Sequence, residues 1–218
     1  MEPLIDETVV IDGRRYRVAW FDPPFRPPLE VTTQALGLCF TAERQIVLVT
    51  WNDEQWSLPG GTIEPGETLE QTLVREVREE ACARVVACAY VGCQRVEELD
   101  GEFAPYYQTR FWARVELDPF VPEHEMTARR LVAPEEFREA VFWGTEATAG
   151  LILERGLAIE TNHAGGSDGP RLRPRRTGEA AHPSAGPGAR DRASGAARRS
   201  DRQAIRANDR QHPLPQRE

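Results

Sequence analysis

Apolar and polar positions alternate along Thr8 to Phe21, and the alternation breaks at Asp12-Gly13. Period-two runs on either side of an Asp-Gly pair predict a β-hairpin. The next stretch, DPPFRPP from Asp22 to Pro28, suits neither a helix nor a central strand and reads as a stiff linker. VTTQALGLCF and RQIVLVTW follow as two strands joined by a short polar turn, and WSLPGG ends in a turn. From Leu69 the period changes. Leu69, Leu73, Val77 and Ala81 recur every four residues, which predicts a helix from Leu69 to about Ala83 with these four as its buried stripe. Thr68 and Gln71 form a T-x-x-Q capping box that sets its start. RVVACAYVGCQRV and YYQTRFWARVEL are rich in β-branched and aromatic residues and read as strands. APEEFREAVFW and TEATAGLILERGLA read as helices. This mixture, without strict βαβ alternation, predicts an α+β fold, a sandwich of helices over a mixed sheet.

The pattern dissolves beyond about Thr161, where Gly, Pro, Ala, Ser and Arg dominate and aromatics are absent. Such a segment cannot bury enough apolar surface to offset its ordering entropy. The division expected is 1–30 for the hairpin and Pro-rich linker, 31–160 for the main domain, and 161–218 for a disordered Arg/Pro/Gly/Ala-rich tail. Charge divides at the same place. Residues 1–160 carry 15 Arg against 29 acids, a balance of −14, and 161–218 carry 12 Arg against 6, a balance of +6; together they give the net −8 of the 218-residue chain. There is no Lys, a bias that a GC-rich genome explains as well as any function does.

Four cysteines (Cys39, Cys82, Cys88, Cys93) without C-x-x-C spacing argue against a zinc site or a disulfide framework. The start, MEPLIDETVV, lacks a signal-peptide pattern, and no apolar run approaches the roughly 20 residues that cross a bilayer. A cytoplasmic protein with reduced thiols, away from membranes, is expected.

The chemistry concentrates between Glu64 and Glu80, where six glutamates fall within seventeen residues and Glu76, Glu79 and Glu80 occupy a span of five. At about 100° per residue these three lie in one arc beside the buried stripe. Like charges at such spacing destabilise a helix by roughly 0.2–0.5 kcal/mol per pair. A solvated acidic face is the bland reading. Three features favour a hard divalent cation instead. The glutamates border the apolar stripe, Arg75 can reach Glu79 one turn on, and a Gly-Gly turn brings bare backbone near the carboxylates.

The segment resembles the Nudix box, whose pattern is G-x5-E-x7-R-E-U-x-E-E-x-G-U with U a bulky apolar residue. Gly61 is followed by five residues to Glu67, and seven more lead to Arg75-Glu76-Val77-Arg78-Glu79-Glu80. The resemblance extends from about Val31 to Glu160. It implies a Nudix-like α/β/α sandwich with a mixed sheet, and a metal-dependent hydrolase of nucleoside diphosphates linked to another group. Cys82 stands where the family has Gly, and Ala83 where it has a bulky apolar residue. A left-handed cap costs a residue with a Cβ about 1 kcal/mol; otherwise the helix runs on by a turn.

By the same resemblance, Glu76, Glu79, Glu80 and the Gly61 carbonyl bind Mg²⁺ or Mn²⁺. Glu76 or Glu79 assists the attacking water, and Glu67 and Arg75 orient the cluster. Some family members place the general base in a later loop, here PFVPEHEM with Glu123 or Glu125. Substrate contacts are expected from aromatics able to stack a base: Phe103, Tyr106, Tyr107, Phe142 and Trp143. The partner expected is a small nucleotide-type substrate; a homodimer is allowed. Two rival classes stand beside the hydrolase. One is a catalytically silent Nudix-fold module that binds a nucleotide or a partner, which intact glutamates disfavour. The other is an RNA 5′-end pyrophosphohydrolase aided by the basic tail. Nucleic-acid binding is disfavoured by the acids interleaved with the tail's arginines and by its lack of aromatics.

Overall fold

Strand residues of alternating parity supply two separate cores. In the computed structural model, the described residues are 1–11, 13–121, 125–143 and 145–165. The expected tail lies outside them from residue 166 on. The elements run β1 (Ile5–Ile11), β2 (Arg14–Phe21), β3 (Thr32–Phe40), β4 (Ile46–Thr50), β5 (Gly60–Thr62), α1 (Leu69–Ala81), β6 (Ala83–Glu98), β7 (Tyr106–Leu117), β8 (Ala128–Val132), α2 (Phe137–Ala140) and α3 (Glu146–Gly165). The strands form one sheet in the order β1-β2-β6-β7-β3-β4-β8, with β5 paired to β3. Among the described strands only β3 and β7 pair in parallel, at the centre.

Ala35, Cys39, Val47, Val49, Phe111 and Ala113 face α1, whose stripe Leu69, Leu73, Val77 and Ala81 is buried as the spacing predicts. Their neighbours Leu36, Leu38, Phe40, Ile46, Leu48 and Trp112 face the other way, into a core with Phe137, Val141, Trp143 and Ile152. Strands buried on both faces carry near-continuous apolar runs, which is why β3 and β4 lack clean alternation. Burying side chains such as Leu73 and Val77 stabilises the fold by about 1.5–3 kcal/mol each. The hairpin is built as expected, and β2 pairs with β6 from Tyr16↔Glu98 to Phe21↔Cys93, so β1 and β2 extend the same sheet.

Several elements differ from expectation. Helix α1 stops at Ala81, and Cys82 takes the left-handed conformation at φ 46°. The cap that the family gives to glycine is thus made by cysteine; the helix does not run on. The stretch APEEFREAVFW is a 3-10 turn plus the four-residue α2. Its end, Val141–Trp143, is extended: Val141 bridges Trp56, and both Val141 and Trp143 are buried. Helix α3 passes the expected boundary at 160 and reaches Gly165. Its polar anchors explain the extension. Glu160 is fully buried and accepts from the Trp112 indole at 3.0 Å and from Arg114. One turn on, the His163 ring meets Trp112 at 4.9 Å. Strands β5 and β8 were not foreseen. All four cysteines are free. Among the described residues no helix is long and apolar enough to cross a membrane.

Candidate active site

Two glycines let β5 approach both its neighbouring strand and α1. At Gly60, φ is 147°, and an added Cβ would sit 2.4 Å from the Ala35 carbonyl oxygen. Only glycine allows β5 to pair with β3 there. At Gly61 an added Cβ would lie 2.7 Å from the Glu76 carboxyl carbon. The Glu76 carboxylate therefore rests against bare backbone. The Gly60 N–H donates to Glu80 Oε2 at 2.9 Å, which ties a second glutamate of α1 to β5.

The start of α1 is fixed by the foreseen capping box. Thr68 Oγ1 accepts from Gln71 N–H, and Gln71 Oε1 accepts from Thr68 N–H. This places Glu67 just outside the helix, facing Arg75 two turns on. Arg75 holds Glu67 with a fork, Nε to Oε1 at 2.7 Å and Nη2 to Oε2 at 2.9 Å. Its Nη2 also donates to the Thr62 carbonyl at 2.9 Å, and its Nη1 to Glu76 Oε1 at 2.7 Å and Glu79 Oε2 at 3.5 Å. Glu67 further accepts from Thr72 Oγ1 and from the Glu64 N–H. Hydrogen bonds from the Arg75 guanidinium, followed by those of Glu64 N–H and Thr72, hold the Glu67 carboxyl down at about 2 against the cost of burial. Glu67 in turn raises Arg75.

This network answers the crowding of like charges. Each close pair costs a few tenths of a kcal/mol, whereas a hydrogen bond to a charged group contributes roughly 1.5–3 kcal/mol. One arginine contacting three glutamates outweighs their repulsion. Glu76 and Glu80 are buried and Glu79 is partly exposed.

The set implied by the resemblance, Gly61, Glu67, Arg75, Glu76, Glu79 and Glu80, is thus brought together. Among the described residues no three His, Cys, Asp or Glu groups stand in a ready-made metal cluster. Arg75 and Gly60 hold the oxygens instead. The donor set still suits a hard divalent cation, since it is oxygen throughout and no side chain at Gly61 intrudes. Glu76, Glu79, Glu80 and the Gly61 carbonyl are the groups that could hold it.

The aromatic candidates do not assemble. Trp143 is fully buried in the core opposite α1, so it offers no free face for stacking; burial overrides that expectation. Tyr106 packs beside Tyr16 and Val96, while Tyr107 lies among Phe21 and Phe25. Phe142 meets Trp51 edge-on at 5.4 Å. Phe103 is half exposed and lines a cavity of about 570 Å³ with Arg14, Glu98, Asp100, Gly101 and Glu102, a mostly acidic setting. Glu125 is exposed just before β8, and Glu123 lies outside the described residues. Sequence reasoning missed Thr72, the Thr62 carbonyl and the Gly60 N–H. The only advance signal was a threonine four residues after the cap and the Gly-Gly pair.

A NUDIX domain model matches residues 31–151. A Bacillus subtilis (strain 168) protein named for an 8-oxo-dGTP diphosphatase activity is 37% identical over 62 residues, 28% of this chain and 42% of that one. The nucleoside triphosphatase NudI of Enterobacter sp. (strain 638) is 58% identical over 31 residues, 14% of this chain and 22% of that one. The chain thus spans less than half the length of these curated relatives. A mutant of the Bacillus subtilis pyrophosphohydrolase BsRppH aligns in structure with a TM-score of 0.48 and 22% identity, over 59% of this chain and 77% of that one. With the family model covering more than half of its length, the chain belongs to the NUDIX family.

Proposed function

We infer that the chain is a metal-dependent hydrolase that cleaves a phosphoric anhydride bond in a nucleoside diphosphate linked to another group. The observation that carries this is the Arg75 network, which holds Glu67, Glu76 and Glu79 around one cation beside the bare Gly61 backbone. Nudix hydrolases generally use divalent metal ions, and the names of the two relatives are those of nucleotide hydrolases.

Phosphoric anhydrides resist attack because negative oxygens surround the target, so the protein's task is positioning and charge neutralisation. A bound Mg²⁺ or Mn²⁺ would neutralise the diphosphate and lower the pKa of a coordinated water. Glu76, Glu79 and Glu80 would hold the ion with the Gly61 carbonyl. Glu67 fixes Arg75, and Arg75 fixes the direction of Glu76 and Glu79; ligands held this way keep their geometry. Glu79 is the more exposed of those two, with 23% of its side chain accessible against 4% for Glu76, and is the better placed to take a proton from water.

The test is a hydrolysis screen of the full chain over nucleoside triphosphates, dinucleoside polyphosphates, nucleotide sugars, nicotinamide dinucleotides and 5′-triphosphorylated RNA. Turnover of at least one nucleoside diphosphate derivative with Mg²⁺ or Mn²⁺, stopped by a chelator, is expected. No turnover on the whole panel with either ion favours a silent binding module.

A further inference from the structure

Helix α1 meets β6 through a single residue. Ala81 ends the helix, Ala83 begins the strand, and Cys82 between them is left-handed at φ 46°. Glu79 and Glu80 stand in the last turn before this joint. The left-handed conformation is unfavourable for a residue with a Cβ. No loop is present to absorb a change, so a rotation at Cys82 swings the two glutamates relative to the sheet. The same turn has a second weakness. The final carbonyls of a helix lack partners within it and carry its partial negative charge.

Arg129 meets both weaknesses from a distant strand. It pairs in register with Val49 of β4, whose side chain belongs to the core under α1. An arginine thus stands on the α1 face of an edge strand, where its neighbour is apolar. Its guanidinium reaches the joint itself. Nη1 donates to the Ala81 carbonyl at 2.6 Å and to the Cys82 carbonyl at 3.1 Å, and Nη2 donates to the Asp118 carbonyl at 3.1 Å. The Phe120 ring lies 5.4 Å from the same guanidinium. The Asp118 N–H also donates to the Cys82 carbonyl, at 2.9 Å, and Cys82 Sγ donates to the Val121 carbonyl at 3.4 Å. One side chain of β8 therefore ties the end of α1 to the chain leaving β7. Arg130, the next residue, pairs with Leu48 and lies 6.0 Å from the Trp56 ring, on the opposite face.

We propose that Arg129 is a positioning residue: it clamps the last turn of α1 in the place that a glycine cap would otherwise secure, and so fixes where Glu79 and Glu80 stand against β5. The consequence for metal binding rests on the reading above; the clamp itself does not. The side-chain type fits the task. A guanidinium presents its donors in a rigid fork, so it holds carbonyls of the helix and of β7 together, whereas an ammonium is a single compact charge. A positive charge is also favourable beside the C-terminal end of a helix. The Gly60 N–H holds Glu80 from the β5 side, and Arg129 holds the backbone of the same turn from the β8 side.

The experiment is residue-resolved amide hydrogen exchange of the metal-free full chain, followed by calorimetric titration with Mn²⁺. The proteins compared are the parent, Arg129→Met, Arg130→Met and Arg129→Met with Cys82→Gly. In Arg129→Met the amides of Glu79, Glu80 and Ala81 are expected to exchange at least about tenfold faster, with Leu73 and Val74 within about threefold of the parent. Adding Cys82→Gly should recover about fivefold of that loss, since glycine needs no support in the left-handed cap. Mn²⁺ should bind about tenfold more weakly to Arg129→Met and within about twofold of the parent to Arg130→Met. Where Arg129→Met fails to fold, Arg129→Lys, which keeps the charge without the fork, is expected to show the same local pattern at smaller amplitude. Unchanged exchange in the last turn, faster exchange spread evenly along α1, or an Arg130→Met that matches Arg129→Met overturns the clamp. Unchanged Mn²⁺ affinity in Arg129→Met overturns the positioning role. A parent that binds no Mn²⁺, with the local change in exchange still present, removes the metal reading and leaves the clamp standing.

Discussion

Two arginines on opposite faces of the sheet are treated in opposite ways. Arg75 keeps about a fifth of its side chain exposed and meets Glu67, Glu76 and Glu79. Arg110 is entirely enclosed and is given amide oxygen, a carbonyl and an indole ring. In the first region three carboxylates share one guanidinium within the chain, which fixes their directions. The second leaves donors and an acceptor open. An arginine shared among carboxylates preorganises them, whereas the enclosed arginine is held by neutral groups alone.

Replacement of Arg75 should have the largest effect. Arg75→Met removes the guanidinium that three carboxylates share. It should lower stability by about 3 kcal/mol, the lower end of the range for breaking a buried pair. It should also lower kcat by roughly 10–100-fold through lost orientation of the ligands. Chemical denaturation and steady-state kinetics read both. A variant as stable and active as the parent would show that the network is ornamental.

The next effect tests how far the second face depends on α3. A stop after Ile159 removes Glu160 and leaves the Trp112 indole and Arg114 without it, at a cost of about 2–3 kcal/mol. A stop after Gly165 keeps these contacts and should leave kcat/KM on a small nucleotide within about twofold, because tolerance of truncation follows burial. A tenfold loss with the longer chain would place the tail in catalysis.

Much of the first region was legible in the sequence because its signals are local. The four-residue stripe and capping box of α1 and the spacing of Glu67, Arg75, Glu76, Glu79 and Glu80 are all contained in one short segment. What was hidden depends on partners distant in the chain. Strand β5 is only Gly-Gly-Thr and exists because Gly60 can approach β3. Strand β8, ARRLV, carries two arginines at a sheet edge and shows no apolar alternation. The end of α3 is fixed by Glu160 reaching Trp112, which composition cannot reveal. Trp143 could have stacked a base or filled the core, and only its position decides. Gln34, Gln94 and Gln108 are assembled by strand register alone.

Smaller effects sharpen the contrast. Arg110→Met removes a fully buried charge with no carboxylate among its described partners, so its melting temperature should stay level or rise, by up to about 1 kcal/mol of stability. A fall of the size expected for Arg75→Met would mean that Arg110 is a structural pillar. Cys82→Gly should stabilise by about 0.5–1 kcal/mol, since glycine adopts the left-handed cap without the Cβ penalty. Denaturant midpoints distinguish this gain from the null value.

We propose that the glutamates of α1 hold a divalent ion. Thermal melting of the metal-free full chain, with and without Mn²⁺, is the direct measurement, run beside Glu76→Gln, Glu79→Gln and Glu80→Gln. Binding to the native state alone stabilises it by about 2.7 kcal/mol at a hundredfold excess over Kd. The parent should melt higher with Mn²⁺, and each variant should lose most of that shift while keeping its circular dichroism spectrum. A parent that does not respond to Mn²⁺, or variants that respond as fully as the parent, would contradict the assignment.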